Sequence, residues 1–383
     1  MHINELLKET TDVQASDLHL TAGRKPTIRV WGKLQPLEHR EVLTPEDTSQ
    51  LAYSMLNAFQ KQKFEKTWEL DLSYGVQGLG RFRVNLYRQR GATGIAMRSI
   101  PSTIPAIDDL NLPPILKDLA RKPRGLILVT GPTGHGKSTA LAAMIDAINT
   151  ERAAHIVTVE DPIEYIHEHK KSIVNQRELG FDTQSFPNAL RGVLREDPNV
   201  VMVGEMRDLE TISAALTIAE TGHLVFATLH TANAAQSIDR IVDVFPPYQQ
   251  QQIRIQLASV IEAVLSQQLL PNQRYLAKAG AARMDGQRRV AAAATTTISR
   301  TWPALEEIGR VPAMEIMIAT PAIRNLIREA KTHQIESALQ TGAQYGMQTM
   351  DMALADLYRR RLVSAEDAIA RAIHPDELRK LIA

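Results

Sequence analysis

Cysteine is absent from the 383-residue chain. That excludes disulfides and any thiolate zinc site. Long apolar runs are missing too, since none reaches the ~18 residues that a membrane-crossing helix needs. The amino-terminal stretch MHINELLKETTD is polar and amphipathic and lacks the apolar core of a secretion signal. Together these absences set a cytoplasmic protein as the expectation. Charge of one sign is not in excess: 44 Lys and Arg stand against 43 Asp and Glu, a formal net charge of +1. No overall basic field therefore draws the chain to nucleic acid or to anionic lipid. Aromatic residues make up 5%, few for the stacking surfaces used to hold single-stranded nucleic acid. What is present is ordinary for a globular protein, with 44% hydrophobic and 23% charged residues. The length suffices for two or three cores.

Along the chain the hydrophobic period changes. Residues 1–98 read as α+β. INELLKETT is an amphipathic helix, and ASDLHLTAG, TIRVWGKLQPL, LDLSYGV and GRFRVNLYRQRG alternate apolar and polar residues as half-buried strands do. TPEDTSQLAYSMLNAFQKQKFEKT reads as a helix started by Thr44 as N-cap, Pro45 and Asp47. SIPSTIPAIDDLNLPP, residues 99–114, is proline-rich and reads as a linker. From 115 to 271 the short apolar runs GLILVT, HIVTVE, NVVMVGE and HLVFATLH alternate with helical stretches, the pattern of a parallel sheet covered on both faces. Past residue 248 the chain reads as mainly helical, including QQIRIQLASVIEAVLSQQLL and the carboxy-terminal part 309–383. Residues 272–308, with an Ala run, a Thr run and no clear period, read as an insertion or a disordered loop.

The chemistry-bearing motifs lie in the middle. Gly131, Pro132, Thr133, Gly134, His135, Gly136, Lys137 and Ser138 fit G-x-x-x-x-G-K-[ST] between an apolar strand and a helix. Such a loop curls backbone N–H groups around a phosphate, while Lys137 reaches the β- and γ-phosphates and Ser138 holds Mg²⁺. NVVMVGE ends in Glu205, an acid at the end of a strand expected beside the P-loop strand, where it suits the metal shell. Glu160, Asp161 and Glu164 follow a third strand, where a carboxylate can polarise attacking water; a capped Asp-Pro turn is the plainer alternative. His223 and His230 bracket a core strand. A γ-phosphate or a neighbouring subunit could be sensed there, though spacing alone says little. Arg81 and Arg83 share one face of a strand. They read on their own as a solvated basic face.

GPTGHGKST, VEDPIEYIH, VGEMRDLET, ETGHLVFATLHT and TPAIRNLIRE together resemble the pilus retraction ATPases of the secretion ATPase superfamily, over about residues 1–271 and 309–383. The resemblance implies a PAS-like N-terminal domain, a RecA-like P-loop ATPase core with a parallel sheet, and C-terminal helices. It implies a homo-hexamer that binds ATP and Mg²⁺ between its domains and powers pilus retraction. It also implies docking to an inner-membrane pilus platform protein at the cytoplasmic face, possible pairing with a paralogous retraction ATPase, and no nucleic-acid partner. Residue by residue, Lys137, Ser138 and Thr139 take phosphate and metal, Glu164 activates water, Glu205 is the Walker B acid, and His223 and His230 form the histidine pair. The resemblance turns Arg81 and Arg83 into phosphate contacts. It marks Ala322, Ile323, Arg324, Asn325, Leu326 and Ile327 as a segment needed for retraction rather than for nucleotide binding. His135 stands where the family often has Ser, at a position expected to need only its backbone.

Other classes fit less well. Pilus-extension and secretion ATPases of the superfamily often carry a four-cysteine zinc site, which this chain cannot form. A GTPase lacks its N-K-x-D base-reading motif here, and a non-hydrolysing scaffold would have no use for Lys137, Glu164 and Glu205 together. An accessory retraction ATPase shares all of these motifs.

Overall fold

A computed structural model describes residues 2–13, 15–30, 33–100, 103–276 and 309–382. The chain divides into two compact units, Met1–Ser102 with Glu164–Ile166, and Thr103–Ile163 with His167–Ala383.

The first unit is built on an antiparallel sheet of order β3-β2-β1-β6-β5-β4. Its strands are β1 (Asp17–Leu20), β2 (Thr27–Val30), β3 (Lys33–Pro36), β4 (Glu69–Val76), β5 (Gly80–Gln89) and β6 (Ala92–Ile100). β5 alternates Phe82, Val84 and Leu86 inward with more exposed neighbours, as period two demands. Helix Ile3–Asp12 buries Ile3, Leu6, Leu7 and Thr10, the 3–4 spacing of one helical face. The helix expected from Thr44 onward is two. Thr44 and Asp47 form a capping box for Pro45–Tyr53, and a second box, Asn57 with Gln60, starts Ala58–Thr67. The sequence LNAFQ carries that second start signal. β6 extends to Ile100, into the stretch read as linker, while Ile107 and Leu112 are buried in the core of the second unit.

The second unit holds a seven-stranded sheet of order β13-β12-β7-β11-β10-β8-β9. The strands are β7 (Gly125–Thr130), β8 (His155–Glu160), β9 (Ile173–Glu178), β10 (Val200–Val203), β11 (Leu224–Leu229), β12 (Ile261–Pro271) and β13 (Arg310–Ile318). All neighbours pair in parallel except β12 with β13. The central strands are buried on both faces, so alternate residues serve different cores. Leu126 and Leu128 join one, Ile127 and Val129 the other. That is why they read as continuous apolar runs.

Three expectations change. The segment read as a helix through residue 270 is the helix Pro247–Val260 followed at once by β12. Buried on both sides between β7 and β13, β12 shows no period that separates it from a buried helix. The carboxy-terminal part is not helical from its start, since β13 adds an antiparallel edge before the helices Pro321–Arg328, Ile335–Thr341, Met350–Arg359, Ala365–Arg371 and Pro375–Ile382. Finally, β10 does not lie beside the P-loop strand, because β11 intervenes. The expectation for 272–308 falls largely on 277–308, outside the described residues.

Candidate active site

The loop after β7 has the backbone that a phosphate cradle requires. Gly131 sits at φ +134°, and a Cβ there would meet the Gln267 carbonyl oxygen at 2.2 Å. Gly136, at φ +82°, would meet Gln267 Nε2 at 2.8 Å. Both positions therefore exclude side chains. Gly136 caps helix Lys137–Glu151 without any side-chain hydrogen bond, and a helix start of this kind suits an anion. Ser138 and Thr139 stand half-buried in the first turn. Lys137 is only 8% exposed. Its ammonium donates to the carbonyls of Gly131 at 2.8 Å and Pro132 at 3.0 Å.

Glu205 follows β10, and His230 follows β11. His230 Nε2 lies 3.0 Å from Glu205 Oε1, and its Nδ1 lies 3.4 Å from both Lys137 Nζ and Thr133 Oγ1. One imidazole thus spans the P-loop lysine and the strand-end acid. With Nε2 donating to the carboxylate, the Nδ1 lone pair faces the ammonium. Burial by itself would raise the Glu205 carboxyl, but the Arg207 guanidinium, with Nε 2.5 Å away, and His230 outweigh it and hold the pKa below its ordinary value. The group is kept as a carboxylate, the form a cation needs. Gly204 brings this strand end against β8, since a Cβ there would lie 3.1 Å from the Val159 carbonyl and 3.2 Å from Glu160 Cα.

The three acids at the end of β8 and just beyond it separate. Glu160 is 6% exposed and accepts from Thr158 Oγ1 at 2.6 Å and Gln176 Nε2 at 3.1 Å. Asp161 and Glu164 are exposed, and Glu164 groups with the first unit. Arg81 and Arg83 are on β5 of that unit, on the face opposite Phe82 and Val84, with Arg83 paired across to Arg98. His223 is not brought to the P-loop. It precedes β11 at the other end from His230, six residues or roughly 20 Å of strand away. There its Nδ1 lies 2.9 Å from the Ile218 carbonyl.

The AIRNLI segment occupies the helix Pro321–Arg328. Ile323 and Ile327 are fully buried, whereas Ala322 and Asn325 are exposed and Leu326 is half-buried. Arg324 donates to the carbonyls of Ala258 at 2.7 Å, Ser259 at 2.9 Å and Ala319 at 3.0 Å, and to Glu262 at 2.7 Å. It closes the carboxyl end of helix Pro247–Val260, where a cation is favoured.

Sequence reasoning missed the braces that hold the P-loop from the side of β12. Gln267 Nε2 donates to the His135 carbonyl at 2.8 Å, and Arg310 to that of Gly134 at 3.1 Å. The His135 imidazole is not idle, contrary to expectation. Its Nδ1 accepts from the Leu269 N–H at 3.1 Å. Burial, then the nearby charges of Arg371, Arg310 and Lys137, hold its pKa down and keep that lone pair free to accept. No short motif announces these braces, which come from strands far along the chain.

The Type II/IV secretion system protein family matches residues 1–362. A type IV pilus retraction ATPase, PilT of Pseudomonas aeruginosa, is 47% identical over 381 residues, covering 98% of this chain and 99% of its own. PilU, a type IV pilus ATPase of the same organism, is 38% identical over 382 residues, covering 100% of this chain and 91% of its own. A crystal structure of the pilus retraction motor PilT with bound ADP superposes with a TM-score of 0.85 at 47% identity, covering 99% of each chain. With a family match over most of its length and relatives this similar along nearly all of it, the chain belongs to the Type II/IV secretion system protein family.

Proposed function

We propose that this chain is an ATPase motor that powers type IV pilus retraction, assembled as a homo-hexamer. The observation that carries the reading is the glycine cradle with Lys137, His230 and Glu205 joined at its mouth, in a chain 47% identical along its length to a retraction ATPase. The backbone N–H groups of Gly134 to Thr139 wrap the β-phosphate, and Lys137 exchanges its two carbonyl partners for phosphate oxygens. Ser138 and Glu205 are the residues that would hold Mg²⁺, a hard cation that takes few protein ligands beside phosphate and water. Bound there, the ion supplies charge neutralisation to the phosphate oxygens. Glu164 accepts a proton from water, the water oxygen bonds to the γ-phosphorus, and the bond to the β,γ-bridging oxygen breaks to give ADP and phosphate. Arg81 and Arg83 offset the phosphate charge.

No helix among the described residues is long and apolar enough to cross a membrane. Work on a pilus would reach this chain through an inner-membrane platform protein at the cytoplasmic face. An accessory role is the second reading, supported by 38% identity to PilU over the whole chain.

The test is ATP turnover by the full chain, followed by retraction in cells lacking their own retraction ATPase. Turnover and restored retraction, both lost in Lys137→Ala, are expected. A chain that hydrolyses ATP but restores retraction only alongside a main ATPase would establish the accessory role. Absence of hydrolysis would overturn the enzyme reading.

A further inference from the structure

Glu315 is 3% exposed and sits in the middle of β13. It pairs across to Ser266 of β12, which pairs with Thr130, the last residue of the P-loop strand. Thr130 Oγ1 donates to Ser266 Oγ at 2.9 Å, so this rung leads straight to the residue before Gly131. The Glu315 carboxylate accepts the Ala234 N–H at 2.7 Å. Ala234 is the first residue of helix Ala234–Asp243, four residues past His230. The Met350 N–H also donates to Glu315. Met350 opens the helix Met350–Arg359, whose approach is stitched to the same strand. Ile316 N–H donates to the Gln348 carbonyl at 2.9 Å, and Gln348 Nε2 to the Met314 carbonyl at 2.8 Å.

One buried side chain therefore receives the first N–H of two helices, one leading from His230 and one belonging to the carboxy-terminal bundle. A buried carboxyl is costly, and packing alone would be met by an apolar residue. What only a carboxylate offers at this size is two acceptors and no donor. We infer that Glu315 is a positioning residue that fixes the His230 loop against the helix Met350–Arg359, so that a shift of His230 at the nucleotide is passed to the carboxy-terminal helices. This deepens the proposed ATPase reading and rests on it for its kinetic consequence.

The surroundings make the link sensitive to protons. Burial, with repulsion from Glu336 and Asp351, pushes the Glu315 carboxyl up to about 7. Asp351 is itself engaged by the N–H groups of Ile373 and His374 at 2.8 Å, and His374 Nε2 lies 2.7 Å from Glu336. Protonated Glu315 gives up one of its acceptors to an O–H, so the link is complete only above about pH 7.

The experiment compares the full chain with Glu315→Gln, which keeps shape and one acceptor, by amide exchange and by Mg·ATP turnover from pH 6 to 8.5. Exchange should speed up at least tenfold in both 231–238 and 349–354 and stay unchanged in the P-loop helix. The kcat should fall about tenfold, a loss typical of small misplacement, with KM for ATP within about twofold. The rise of turnover through neutral pH should be lost. In a His230→Ala background the substitution should cost less than about twofold more, because both act through one group. Unchanged exchange in either segment, an additive loss with His230→Ala, or a raised KM with intact kcat would overturn the inference. If the unaltered chain hydrolyses no ATP, the enzyme reading falls while the exchange measurement still decides whether Glu315 joins the two segments.

Discussion

The two edges of the seven-stranded sheet carry opposite kinds of chemistry. At the carboxyl edge the strands end in a glycine loop, a lysine held by carbonyls, and an acid and a histidine 3.0 Å apart. At the amino edge they begin among closed ion pairs. Glu262 is gripped by Lys122 at 3.0 Å and Arg324 at 2.7 Å, and Arg324 also satisfies three carbonyls. A cavity of about 400 Å³ opens at this edge beside Arg124, Glu220 and Glu262, away from the P-loop. In a parallel sheet every strand delivers its end to the same side, so loops gather there from distant sequence positions. The amino edge has no such cradle, and the charges of Glu262 and Arg324 are met by each other and by neighbouring groups of the chain.

That contrast can be broken by substitution at either edge. Lys137→Ala should have the largest effect, lowering turnover about a thousandfold, because it removes a charge aimed at phosphate. Steady-state rates beside a melting curve would show it. Glu205→Gln should retain nucleotide binding and lose about a hundredfold in kcat; normal turnover would mean that another acid serves the cation. At the opposite edge Arg324→Ala should cost about 2 kcal/mol of stability, since two half-buried carbonyls and Glu262 lose their donor. Denaturant titration measures that cost, and kcat per folded molecule should hold. The smallest effect is expected of His223→Ala, with turnover within about twofold. A large loss there would show that the amino edge takes part in the chemistry, through a neighbouring subunit.

How far the sequence could be read follows the same geometry. The P-loop was legible because its residues are contiguous and its glycines answer a local backbone demand. Glu205 and His230 were legible as strand ends. Their meeting with Lys137 was not, because it depends on β11 lying between β7 and β10. The resemblance grouped His223 and His230 as a pair, yet the six-residue strand that they bracket sends them to opposite edges. Arg324 read as part of a functional motif, and only the fold reveals its bonds to the end of helix Pro247–Val260. In the first unit the half-buried strands showed their alternation openly. β12 hid its nature because burial on both faces erases the period.

The sequence by itself determined a phosphate loop between strand and helix, a parallel α/β core after an α+β unit, and the acids and histidines placed at strand ends. These are properties of local spacing, backbone freedom and hydrophobic period. Tertiary structure alone decided which strand ends share an edge, that β12 and β13 brace the P-loop through Gln267, Leu269 and Arg310, and that Glu315 gathers the starts of two helices. The reason is that strand order is set by which apolar faces can be covered together. That is a sum over the whole core and is not carried by any one stretch of sequence.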